Sequence, residues 1–221
     1  MNFKNRKDTV FIVLAGFFVT NTIVAELIGG KFIQFFGTFT QSVGIILWPF
    51  VFLLTDIINE HFGKSGVKKL TYITIGLILY MYLFLTFAIH IPATSFSPVN
   101  DLNFKIVFGQ SQWIIIGSII AFLVSQLVDV YIFWLLRNKT GKNLIWLRAT
   151  GSTIVSQLID TFVVQFVAFV LPGVWSINTL LINASWGYVF KLILAICIIP
   201  FIYLFHWLIN KYLEKDSIEA K

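Results

Sequence analysis

Two short stretches of this chain nearly repeat each other. VSQLVD at 124–129 and VSQLID at 155–160 share five of six residues and begin 31 positions apart. Each sets an aspartate, preceded by Ser and Gln, inside a long apolar run. In the first copy Ser125 and Asp129 are i, i+4, and Gln126 and Asp129 are i, i+3, so all three share one helix face. The second copy extends the pattern: Ser152, Ser156 and Asp160 recur every fourth residue, and Gln157, Thr161 and Gln165 form a parallel row. A third acidic element, LLTDIINE at 53–60, places Asp56, Asn59 and Glu60 at i, i+3, i+4. Carboxylates accept hydrogen bonds and take up protons, so such groups suit a solute rich in N–H donors or carrying positive charge.

The surroundings make these residues costly. An ionisable side chain deep in a membrane helix costs about 2.5–3.5 kcal/mol on insertion scales. Counting helical rise from the nearest basic residue puts Asp56 and Asp129 each ~12 Å into the membrane, Glu60 ~6 Å and Asp160 ~18 Å. Asp56 and Asp129 therefore share a depth and are expected to meet in one cavity. Polar contacts also join helices, for ~0.6 kcal/mol each, so a purely structural seam is the competing reading. Glu60 reads either as a site group or as an interfacial partner of positive charge. Asn21 lies inside the first apolar run, Glu26 near its outer end where an interfacial place is expected, and Lys191 near the outer end of the last. Lys191 either snorkels outward or neutralises a carboxylate.

The elements that must hold these groups follow from composition. The chain has 221 residues, 58% hydrophobic and 12% charged, with 24 Phe and 7 Trp, against about 25% charged in soluble domains. Several apolar runs reach the ~20 residues that a bilayer requires. We read a single integral membrane domain over 1–221, all-α, with six spans at about 9–28, 41–60, 69–91, 112–136, 149–171 and 187–210. The first run is too long for a removable signal peptide. Pro49 is expected to kink the second span. Trp48, Trp113, Trp146, Trp186 and Trp207 fall near predicted ends, where aromatic belts form. The segment 92–111 reads as a connection with a short interfacial helix.

Of the 16 Lys and Arg, 13 fall on one side of this arrangement: Lys4, Arg6, Lys7, Lys64, Lys68, Lys69, Arg137, Lys139, Lys142, Arg148, Lys211, Lys215 and Lys221. Both termini are then cytoplasmic. The net charge of +6 reflects this topology, and no nucleic-acid partner is implied. His61, His90 and His206 are scattered without ligand spacing, the lone Cys197 builds no metal site, and GKSG at 63–66 lacks P-loop spacing. No metal, cofactor or enzymatic centre is expected.

The segment 107–169, with its paired S-Q-x-x-D elements flanking WLR at 146–148, strongly resembles the queuosine precursor transporter family, also called the vitamin uptake transporter family. FLLTDIINEHFGK at 52–64 is similar to that family's Asp–x–x–x–Glu–x–x–Gly element, and Asn21 and Lys191 fall where the family places an Asn and a Lys. The resemblance covers essentially the whole chain. It implies a carrier in the bacterial plasma membrane importing 7-deazaguanine precursors of the tRNA base queuosine, preQ0 and preQ1. The bilayer and this small base would be its partners, with a homodimer and proton coupling as open options. Asp129 and Asp160 are the expected central binding pair, then Glu60 and Asp56, with Asn59, Asn21, Gln126, Gln157 and Lys191 in support. The alternative is the substrate-binding subunit of an energy-coupling-factor vitamin importer.

Overall fold

The architecture comes from a computed structural model that describes residues 6–35, 39–109, 112–140 and 144–219. Lys4, Lys142 and Lys221 of the basic set lie outside the described residues. Hydrocarbon offers no partner to backbone N–H and C=O groups, so apolar runs close their hydrogen bonds within helices. The helices are α1 (Arg6–Leu27), α2 (Trp48–His90), α3 (Asp101–Phe108), α4 (Gln112–Thr140), α5 (Ile145–Gln165) and α6 (Ile177–Glu219). Among the described residues five segments are long and apolar enough to cross a bilayer, and α3 falls in one segment with α4. Six spans were expected; two of them, 41–60 and 69–91, fall within or overlap α2.

α2 is not a straight rod. Its 43 residues would reach ~65 Å, twice a bilayer core. Gly63, at φ 78° and ψ 174°, breaks the helical path within FGKSG at 62–66. Only glycine occupies that backbone region without strain. Pro49 does not kink α2 as expected: it sits in the first turn, where its missing N–H costs nothing.

The second span was expected from about 41; the α-helix itself begins at Trp48, and residues 41–47 lead into it. An antiparallel hairpin, β1 (Phe32–Phe35) with β2 (Phe39–Ser42), pairs Phe32 with Ser42 and Ile33 with Gln41. Val43 N–H donates to Lys31 O at 2.8 Å, and a 3-10 turn over Val43–Ile46 leads into α2. The Ser42 hydroxyl accepts from Gly44 N–H at 3.1 Å and caps that turn. The run KFIQFFGTFTQS carries the alternation and aromatic content of strands, which the apolar average concealed. The connection at 92–108 does carry a short helix, α3, capped by Asn100 accepting from Asn103 N–H at 2.8 Å.

Contacts across the bundle define its two ends. Glu60 meets Arg137, and His61 meets His206, so the Gly63 turn, the end of α4 and the end of α6 lie together. Arg6 Nη1 donates to Tyr212 O at 3.4 Å and brings the start of α1 to the same end. The hairpin lies at the other.

An apolar cluster of Phe18, Val51, Ile58, Phe122, Val130 and Ile198 joins α1, α2, α4 and α6. Large apolar side chains such as Leu83 (70% exposed) and Phe87 (66%) point outward, as lipid permits and water does not. α5 is different: apart from Ala149, every buried residue on it is polar. α4 lies close against it. A Cβ on Gly117 would sit 3.0 Å from Val164 O and 3.1 Å from Ala168 N. Beyond Gln165 the helix widens into a π turn over Phe166–Val170.

Replacing Gly63 by Ala is expected to destabilise the protein by about 1–3 kcal/mol, the cost of forcing a Cβ into this backbone region. Thermal unfolding in detergent checks it; an unchanged midpoint would show that the turn relaxes freely.

Candidate functional site

Antiparallel α4 and α5 bring the twin motifs face to face, and the two motifs cross-bond. Ser156 Oγ of the second donates to Asp129 Oδ1 of the first at 2.9 Å. Ser125 Oγ of the first donates to Asp160 Oδ1 of the second at 3.4 Å. Each aspartate thus takes a hydroxyl from the other copy. All four residues are buried.

The two halves differ in what lies opposite. Asp160 meets Lys191 of α6, whose Nζ donates to Oδ2 at 2.7 Å. Lys191 therefore neutralises a carboxylate and does not snorkel. Asp129 faces α2, where its electrostatic neighbour is Asp56, with the Ser152 hydroxyl beside both. Among the described residues, Asp56 Oδ1 and Asp129 Oδ2 accept no hydrogen bond.

Above Asp160, toward the hairpin, a cavity of about 110 Å³ opens between α1, α4, α5, α6 and the hairpin. One ordered water needs ~10–15 Å³ on this measure, so there is room for a small molecule. Polar groups on its wall include Glu26, Ser118, Asp160, Gln165 and Lys191, and aromatic ones Trp48, Phe169 and Trp175. Phe169 and Trp175 stack with centroids 4.2 Å apart at 19°. Rim residues Phe32 and Thr40 are exposed, so the cavity reaches the surface at that end.

The hairpin is fastened over this cavity. Gln41 Nε2 donates to Asn183 O of α6 at 2.8 Å. Its amide lies in a notch made by Gly187, where a Cβ would approach within 2.7 Å.

The opposite end is closed. Arg148, fully buried, donates from Nη2 to Glu60 Oε2 at 2.9 Å, and Arg137 Nη2 stands 3.7 Å from Glu60 Oε1. Trp134 Nε1 donates to Asn59 Oδ1 at 2.7 Å. Beside this plug, His206 Nδ1 lies 3.0 Å from His61 Nε2, and Asn210 Nδ2 3.1 Å from His206 Nε2. Two histidines that looked scattered in the sequence therefore meet. Among the described residues no group of three His, Cys, Asp or Glu side chains could hold a metal.

The expected site residues are thus sorted by depth. Asp160 and Lys191 line the cavity. Asp129, Asp56 and Gln157 lie deeper, and Gln126 there exchanges hydrogen bonds with Thr55 of α2 at 3.1 and 3.2 Å. Asn59 and Glu60 belong to the closed end. Asn21 stands apart: its amide donates to Phe17 O at 2.8 Å, and it borders an apolar groove of about 530 Å³ between α1, α2 and α6.

Glu26 reverses its expectation. It is enclosed, 5% exposed, and accepts from Tyr82 Oη at 3.1 Å and from Ser118 Oγ. Ser118 precedes Ser125 by seven residues on the same face of α4, a spacing that could have flagged it. Trp48 lines the cavity, whereas Trp113, Trp146, Trp186 and Trp207 are exposed as belt residues are.

Among known proteins, the family described as "Putative vitamin uptake transporter" matches residues 42–205. A "Probable queuosine precursor transporter" of Bacillus subtilis is 29% identical over 183 residues, covering 82% of this chain and 78% of its own. A protein of the same description from Haemophilus influenzae is 29% identical over 135 residues, 60% and 53% of the two chains. The "Queuosine precursor transporter" of Escherichia coli is 24% identical over 191 residues, 82% and 80%. No solved structure matches.

Removing one partner of a buried ion pair strands the other charge, at about 3–5 kcal/mol. Arg148→Gln is therefore expected to lower the unfolding midpoint in detergent sharply, and Glu60→Gln added to it to restore part of the loss. A double variant less stable than Arg148→Gln would contradict the pairing.

Proposed function

The chain belongs to the vitamin uptake transporter family, and on that premise we propose that it imports queuosine precursors, the 7-deazaguanine bases preQ0 and preQ1, across a bacterial plasma membrane. The relatives' names support a queuosine precursor transporter and do not favour an energy-coupling-factor subunit. The observation that carries the site is the cavity beside the Asp160–Lys191 pair. A deazaguanine edge presents one carbonyl acceptor beside two N–H donors. Lys191 supplies the donor for the carbonyl and Asp160 the acceptor for the N–H groups. Trp48 or the Phe169–Trp175 stack covers the ring face. Glu26, across the cavity, pairs with the cationic aminomethyl group that preQ1 adds.

The basic residues at the Gly63 end support a cytoplasmic location for that end and for both termini. α2 then crosses twice, once on each side of Gly63, giving six crossings. The cavity faces outward, and the Arg148–Glu60–Arg137 cluster with the Trp134–Asn59 bond forms the closed inner gate. Import requires that gate to part as the hairpin end closes, an alternation expected of secondary carriers.

Labelled preQ0 and preQ1 uptake into proteoliposomes tests the assignment. Asp160→Asn and Lys191→Met are each expected to reduce uptake of both bases at least tenfold, a loss of about 1.4 kcal/mol or more of recognition, and Glu26→Gln to reduce preQ1 uptake by as much. Glu26→Gln should spare preQ0 relative to preQ1. Wild-type uptake by Asp160→Asn and Lys191→Met together would remove this cavity from the mechanism.

A further inference from the structure

The crossed motifs are symmetric in their hydroxyls and asymmetric in their counter-charges. At Asp160 the carboxylate is balanced by Lys191. At Asp129 the corresponding neighbour is a second carboxylate, Asp56. Both are at least 96% buried, and among the described residues Asp56 Oδ1 and Asp129 Oδ2 lack hydrogen-bond donors. The charged groups around them do not correct the imbalance. Glu60 on α2 adds negative charge and is held by Arg148 of α5; Asp160 of α5 is held by Lys191 of α6. On α1 the buried acid is Glu26, up at the cavity.

Two bare carboxylates in a near-dry interior are too costly to persist, so positive charge must be supplied from outside the side-chain set. The void beside Asp56 measures about 20 Å³, room for about one water. It is otherwise walled by apolar side chains, backbone and the hydroxyls of Thr150 and Thr153, and offers no full oxygen shell for a metal cation. A proton needs none. A polar row also leads toward them. Gln165 Oε1, Thr161 Oγ1 and both amide atoms of Gln157 form a row down one face of α5, all buried and, among the described residues, all without hydrogen-bond partners. The row starts in the cavity wall and ends beside Ser156, which bonds Asp129.

We propose that Asp56 and Asp129 form a proton-binding site, distinct from the substrate cavity, that takes its proton through the Gln165–Thr161–Gln157 row and releases it at the basic end of the bundle. The proton supplies at Asp129 the charge that Lys191 supplies at Asp160. One proton enters and one leaves per cycle, bonded in between to a carboxylate oxygen. The coupling role rests on the carrier reading above; the binding site itself does not.

Two measurements test it. In proteoliposomes, one inward pH unit, about 1.36 kcal/mol per proton, should concentrate uncharged preQ0 about tenfold at one-to-one coupling. Asp56→Asn and Asp129→Asn should lose this concentration while still exchanging preQ0 across the membrane, and Asp129→Glu should regain part of it. Concentration by the Asn variants, or wild-type concentration driven by sodium rather than protons, overturns the proposal. The second readout needs no substrate. Infrared spectra of the wild type at neutral pH should show a protonated-carboxyl band that either Asn substitution removes; no such band in the wild type overturns the site. If the wild type neither takes up nor exchanges any deazaguanine, the substrate assignment fails, and the infrared result alone decides the proton site.

Discussion

A charge placed in hydrocarbon must find its balance inside the protein, and this bundle is arranged around that requirement. α5 carries the polar load, and the other helices are positioned by what they offer it. α4 offers the Ser125 hydroxyl to Asp160 and the Asp129 carboxylate to Ser156, α6 offers Lys191, and α2 offers Glu60 to Arg148. Apolar packing cannot provide comparable direction, because lipid tails compete equally well for apolar side chains. The cluster around Phe18, Phe122 and Val130 fills space, while the polar contacts fix which helix faces which.

The same requirement separates the interior into layers. Near the hairpin the buried charges are balanced and a cavity is left beside them. At the opposite end a buried guanidinium and its carboxylate close the bundle, with Trp134 and Phe133 against the two arginines. Between these layers lies the Asp56–Asp129 level, where balance is incomplete. An open chamber at one end and a buried ion pair at the other are compatible with the alternation of secondary carriers.

Much of this is legible in the amino-acid sequence. Periodicity gave the facing Ser and Asp rows, because i, i+4 spacing survives whatever the tertiary packing. Hydropathy gave the long helices. What stayed hidden depended on distance across the bundle. Glu26 sits near the end of its apolar run, and only Tyr82 and Ser118, far away in sequence, turn it inward. Arg148 looked like a topology marker until Glu60 enclosed it. The hairpin was lost in the hydropathy average, since Phe and Ile serve strands as readily as membrane helices. His61 and His206 are 145 residues apart, and no local spacing could have joined them.

One stripe of α6 carries an arrangement with mechanical meaning. Asn183, which holds the hairpin, Gly187, which receives Gln41, and Lys191, which balances Asp160, follow one another every fourth residue along the same face. A helix is stiff along its axis, so these three positions travel as a unit. If α6 slides or turns to withdraw its ammonium, it drags the hairpin's anchor with it. Cover and counter-ion are then two marks on one lever, and no separate signal is required between the mouth of the chamber and its floor.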